Sequence, residues 1–179
     1  FQSDKHPIRV DFIAGLTMQA EAPSHMYSPD PDKIEVWIDI SEEFPDIEWG
    51  DGGVGDLSWV IEFREMKYLQ KYLQEFSIGN INDKVTVGNI SAIRYGDKQN
   101  SYILLIPGLY PTIHVNSCIP IDLTPEYCKR SDAIAQQMLQ RIAWQKHIDI
   151  SSQEFKDWKA HILSLIEEAK KAGEKKGNP

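Results

Sequence analysis

The sequence predicts an α+β domain: an antiparallel sheet of about six strands covered by helices, in an α/β/α sandwich, with an extra amphipathic helix at the C-terminal end. Three observations predict it. Apolar and polar residues alternate at period two in several separate segments, the period of a half-buried strand. The period changes to three or four residues in three others, as in amphipathic helices. A chain of 179 residues with 41% apolar and 26% charged residues also has the composition of a globular protein, large enough to bury a core without a structural metal.

Residues 8–18 and 34–40 read as strands, the second because Val36, Ile38 and Ile40 alternate with Glu35, Trp37 and Asp39. Pro23, Pro29 and Pro31 interrupt the connection between them, and Pro45 with Gly50, Gly52, Gly53 and Gly55 marks a second irregular stretch. Leu57, Trp59, Ile61 and Phe63 alternate with Ser58, Val60, Glu62 and Arg64, which predicts a strand pointing its aromatic and aliphatic residues inward. Met66, Leu69, Leu73 and Phe76 then recur at helical spacing, so a helix is expected over 65–76, stopping near Gly79. Three strand-like runs follow at 84–95, 100–107 and 112–118, joined by Gly96-Asp97 and Pro107-Gly108, and these read as an antiparallel meander.

Thr124 with Pro125 gives an N-cap and a first helical position, and Tyr127, Ile134, Met138, Leu139 and Ile142 form the inward stripe of a helix ending near Lys146. A third helix starts at Ser151, where Glu154 completes a capping box, and Phe155, Trp158, Ile162, Leu165, Ile166 and Ala169 make its stripe before Gly173. Phe1-Gln2-Ser3 looks like the remnant of an affinity tag. The organisation predicted is therefore tag residues 1–3, one domain over 4–150, and a C-terminal helix and polar tail over 151–179.

The switch Trp59-Val60-Ile61-Glu62-Phe63 into Lys67-Tyr68-Leu69-Gln70-Lys71-Tyr72-Leu73, the run 87–95, and Ser131-Asp132-Ala133-Ile134 continuing to Ile142 resemble the PsbP-like superfamily over residues 8–146. The third helix and the acidic stretch 45–56 depart from that pattern. The resemblance implies an antiparallel sheet covered by helices. It also implies a scaffold that binds other proteins, since members include photosystem accessory subunits, binders of small GTPases, toxin chaperones and bacterial lipoproteins. No catalytic residues come with it.

Nineteen basic residues face twenty-seven acidic ones, a net charge of −8 that disfavours a nucleic-acid backbone as partner. The imbalance is concentrated: residues 30–56 hold ten carboxylates against Lys33 alone, a local net of −9. Exposed strands are often charged to prevent edge pairing, yet the same stretch carries Trp37 and Trp49, which with Glu42 and Glu43 form the candidate partner-binding set. Asp46, Glu48, Asp51 and Asp56 form the candidate calcium set, because a hard cation takes several oxygen ligands, although their spacing matches no standard calcium loop. Gly50-Asp51-Gly52-Gly53-Val54-Gly55 lacks the Lys-Ser/Thr pair of a phosphate loop.

The five histidines show no metal-ligand spacing. His114 and Cys118 lie on one face of a strand with backbones about 13 Å apart, too far for a nucleophile and its base. Cys118 and Cys128 are read either as a bridge or as two buried thiols. With no initiator Met after the tag residues, the expected setting is extracytoplasmic, with a membrane link only through a trimmed lipid anchor. The function expected is that of a non-catalytic exported bacterial accessory protein or lipoprotein that binds another protein by its acidic face. Alternatives are a hydrolase using a carboxylate pair and an immunity-type toxin inhibitor. A homodimer through the C-terminal helix is a further expectation.

Overall fold

The computed structural model describes residues 1–21, 32–46, 56–75, 78–96, 100–116 and 124–176. In chain order the strands are β1 (Ile8–Val10), β2 (Thr17–Glu21), β3 (Asp32–Asp39), β4 (Asp56–Arg64), β5 (Asn82–Val87), β6 (Ile90–Tyr95), β7 (Ser101–Leu104), β8 (Tyr110–Asn116) and β9 (Ile142–Trp144). The helices are α1 (Met66–Glu75), α2 (Pro125–Leu139) and α3 (Gln153–Lys176). Seven strands form an antiparallel sheet in the order β2-β3-β4-β8-β7-β6-β5, and β1 pairs with β9 in a separate two-stranded sheet. The fold is α+β, with one strand more in its main sheet than the sequence suggested.

The period-two pattern has the predicted consequence. Ile34, Val36, Ile38 and Ile40 join Leu57, Trp59 and Ile61, Ile113 and Val115, and Ala92 and Leu104 in one core. It is closed by Tyr127, Ile134, Ala135, Met138 and Leu139 of α2 and by the β1–β9 pair. The opposite sheet face has a second core. There Ile93 and Tyr95 of β6 and Ile103 of β7 meet Leu69 and Leu73 of α1 and Phe155, Ile162, Leu165, Ile166 and Ala169 of α3. Burying a Leu or Ile side chain contributes about 1.5–3 kcal/mol, so this stripe holds α3 firmly to its own sheet and to α1. Lys159 Nζ adds a 2.8 Å ion pair to Asp83 on β5. The stripe considered above for docking a second copy is thus occupied within the chain. Among the described residues no helix is long and apolar enough to cross a membrane.

Element ends differ from expectation where tertiary contacts intervene. The strand expected over 8–18 is two strands belonging to different sheets, broken at residues 11–16. The run 84–95 is a hairpin that reverses at Gly88-Asn89. The second helix stops at Leu139, and Ile142 lies in β9 instead of on the helix. Thr124 does cap α2, accepting a hydrogen bond from the Tyr127 N–H at 3.2 Å. The cap of α3 is Ser152, whose Oγ accepts from the Phe155 N–H at 3.1 Å, while Ser151 donates to Asp149. That helix also runs past Gly173. Phe1–Ser3, read as tag residues, lie antiparallel to β1, with the Val10 N–H donating to the Phe1 carbonyl at 2.9 Å.

The hairpin tip is locked to β9. Asn89 donates Nδ2 to the Trp144 carbonyl and accepts the Trp144 N–H on Oδ1, each at 2.8 Å. Gly88 has φ +56, and a Cβ built there would sit 1.6 Å from the Ile142 carbonyl oxygen. Only glycine meets both conditions. Gly88→Ala should therefore cost about 2–4 kcal/mol, read as a lowered urea midpoint with an unchanged slope. Stability within a few tenths of a kcal/mol of the parent would show that the tip does not need this close approach.

Candidate functional site

The two faces of the main sheet are covered unequally. The second core uses β6, β7 and the start of β8, under α1 and α3. On the same face, the positions of β2, β3 and β4, and those of β8 beyond Tyr110, that alternate with the first core belong to neither cluster. Strand register places them in rows. Thr17, Asp39 and Asp56 are aligned, then Gln19, Trp37, Ser58 and Asn116, then Glu21, Glu35, Val60, His114 and Ser101, then Lys33, Glu62 and Thr112. Trp37 is half-buried at the middle of this half-face, flanked along β3 by Glu35 and Asp39.

Three local devices hold the acidic residues. Asp39 Oδ1 accepts from the Ser41 N–H at 2.8 Å and from Ser41 Oγ at 2.6 Å. These bonds hold its carboxyl below the usual carboxylate range. Glu43, on the single 3-10 turn Ser41–Glu43, receives both Nε and Nη2 of Arg130 from α2, at 2.7 and 2.9 Å. The arginine likewise depresses its pKa. Phe44 packs edge-on against Tyr127 of the same helix. At the other end of β3, Asp32 accepts from Lys5 at 2.6 Å, which lowers its pKa.

A charged seam borders the half-face on the α1 side. Glu62 is paired with both Lys33, at 3.6 Å, and Arg64. Arg64 also donates to Thr112 Oγ1 at 3.3 Å and lies over the Tyr72 ring of α1, 4.1 Å from its centroid. The cations of the face are thereby committed to Glu62. Among the described residues neither Glu35 nor Asp39 has an ion pair.

Of the candidate partner-binding residues, Trp37 lies on the half-face and Glu42 is exposed on the 3-10 turn that follows β3. Glu43 is exposed but engaged by Arg130. Asp46 is exposed, and Asp56 stands opposite Asp39 in the ladder. Trp49, Glu48 and Asp51 lie outside the described residues. Among the described residues no three His, Cys, Asp or Glu side chains gather as a metal site would need. Cys128 is disulfide-bonded, and the other cysteine of the chain, Cys118, lies outside the described residues.

Sequence reading put Glu35 and Asp39 with Trp37 on one phase of a strand, but it missed the pair Ser101–His114 in the row of Glu35. Ser101 Oγ and His114 Nδ1 share a 3.0 Å hydrogen bond across β7 and β8. Period two gave the strand faces, but nothing in linear order shows which strands are neighbours. Ser101 is only 7% exposed, so its hydroxyl is not presented to a substrate. Along β3, the backbones of Glu35 and Asp39 are about 13 Å apart. A pocket of about 140 Å³ lies elsewhere, between Asn89, Trp144, His147 and Phe155. It is smaller than the roughly 300–1,000 Å³ of typical small-molecule sites.

No family model, no curated protein and no solved structure matches this chain.

Burial pushes the pKa of His114 below the ordinary imidazole value, against a smaller opposing effect of Asn116. The unfolded chain therefore binds this proton more readily than the folded one, so stability is complete above about pH 6.5 and declines as pH falls below it. His6, also lowered by burial, adds a change of the same sign. Urea unfolding at a series of pH values should show a shallower loss between neutral and mildly acidic pH for His114→Gln than for the parent. Identical pH profiles would remove His114 from this account.

Proposed function

We propose that the protein is a non-catalytic, exported accessory protein that binds another protein through the polar half of its main sheet, the part on which α1 and α3 do not pack. One observation carries the reading: the sheet is packed across its width on one face, whereas on the other, among the described residues, the helices pack on β6, β7 and the start of β8. Trp37 is left in neither core, between two carboxylates with no ion pair. Protein interfaces are enriched in aromatic residues over the surface average. The excess negative charge of residues 30–56 would steer a positively charged partner onto this face. The resemblance to the PsbP-like superfamily supports a scaffold role, as an analogy of fold. The disulfide at Cys128 supports an oxidising compartment outside the cytoplasm.

The test uses the protein as bait against an envelope extract, followed by affinity measurement with the purified captured protein. Joint substitution Glu35→Lys, Asp39→Lys and Glu42→Lys should weaken that affinity at least about tenfold, with a steep salt dependence in the parent. Glu126→Lys, on the exposed first turn of α2, serves as a charge control and should have a much smaller effect. A captured protein that binds the triple variant as tightly as the parent would overturn the proposal.

A further inference from the structure

We infer that the partner presents an arginine side chain, whose guanidinium stacks on the Trp37 indole between the carboxylates of Glu35 and Asp39. This rests on the reading of the half-face as a protein-binding surface, and adds the chemistry by which the partner is recognised. Glu35, Trp37 and Asp39 alternate on one strand, so they share a face with neighbouring positions about 7 Å apart. That spacing matches a planar cation lying on the ring with its N–H groups directed outward to both sides. An arginine fits it better than a lysine, because the guanidinium is planar, weakly hydrated and carries five donors, whereas an ammonium is a compact, strongly hydrated charge.

The complementarity extends to the surroundings. Along β3 itself, the two carboxylates beside Trp37 have no ion pair among the described residues. The lateral neighbours of Trp37 are the uncharged Gln19 and Ser58. The cations nearest in register, Lys33 and Arg64, are held by Glu62 one row beyond Glu35. An incoming guanidinium would supply the positive charge that this part of the sheet lacks, without displacing an existing ion pair.

The experiment compares two synthetic Gly-Ser peptides of equal length and charge, one carrying arginines and the other lysines. Binding is followed by calorimetry and by the ¹⁵N–¹H signal of the Trp37 indole, assigned with Trp37→Phe. The arginine peptide should bind several-fold more tightly and shift that signal. Trp37→Ala should weaken it about tenfold, Trp37→Phe less, while near-UV circular dichroism and urea midpoints confirm that the variants fold. Glu35→Gln with Asp39→Asn should remove the preference for arginine. Equal binding of the two peptides, an unshifted Trp37 signal, or no binding of the arginine peptide would overturn the inference. If the captured partner still loses affinity to the Glu35, Asp39 and Glu42 reversal in those cases, the protein-binding reading stands while the arginine chemistry falls. If that reversal has no effect, the reading itself falls whatever the peptides do.

Discussion

A sheet with apolar residues on one face needs one cover, and a sheet with apolar residues on both needs two. This constraint organises the molecule. Strands β3, β4 and β8 alternate, apart from Trp37 and Val60, so their apolar sides close against α2 and the β1–β9 pair while their other sides are mostly polar. Strands β6 and β7 are apolar on both sides and draw α1 and α3 onto the second face. The helices settle where the apolar surface is, because burial of that surface is the dominant favourable contribution to folding. Among the described residues, the restriction of α1 and α3 to one part of the second face is therefore a consequence of residue pattern in the strands.

Ionic contacts define the boundaries of that half-face more than they stabilise it. The Arg130–Glu43 pair has side chains about 40% exposed, and exposed pairs contribute about 0–1 kcal/mol. Its effect is positional: with the Phe44–Tyr127 contact, it fixes the turn after β3 against α2. The Lys33–Glu62–Arg64 seam is more buried, with side chains 13–23% exposed. Removing one member there would leave partly buried charge without its partner, the costly case for ion pairs. It separates the acidic half-face from the α1–α3 cover and uses the local cations at the boundary.

The acidic excess of residues 30–56 was evident from counting, but its meaning depended on geometry. Asp32 and Glu43 are neutralised by Lys5 and Arg130, residues far away in sequence. Asp39 gives one oxygen to Ser41 yet stays exposed, and with Glu35 it flanks Trp37 on the same phase of β3. One run of carboxylates thus divides into structural acceptors and surface groups, and spacing alone does not distinguish them. Trp37 was legible as unusual, because an aromatic on the polar phase of an alternating strand conflicts with the pattern around it. The Ser101–His114 bond was not legible, since cross-strand partners are selected by register and not by sequence separation.

What the sequence by itself determined is local: the faces of β3 and β4, the start of α1, the Thr124 cap of α2 and the apolar stripe of α3. Each follows from periodicity or from a side chain meeting backbone a few residues away. Tertiary structure decided the division of residues 8–18 between two sheets, the end of α2 at Leu139, and the short strand β9, whose pairing with β1 joins segments more than 130 residues apart. It also decided that Gly88 must lie under the Ile142 carbonyl and that α3 covers only half a face. These features depend on which surfaces meet after folding, and a contact between distant segments leaves no periodic trace in either of them.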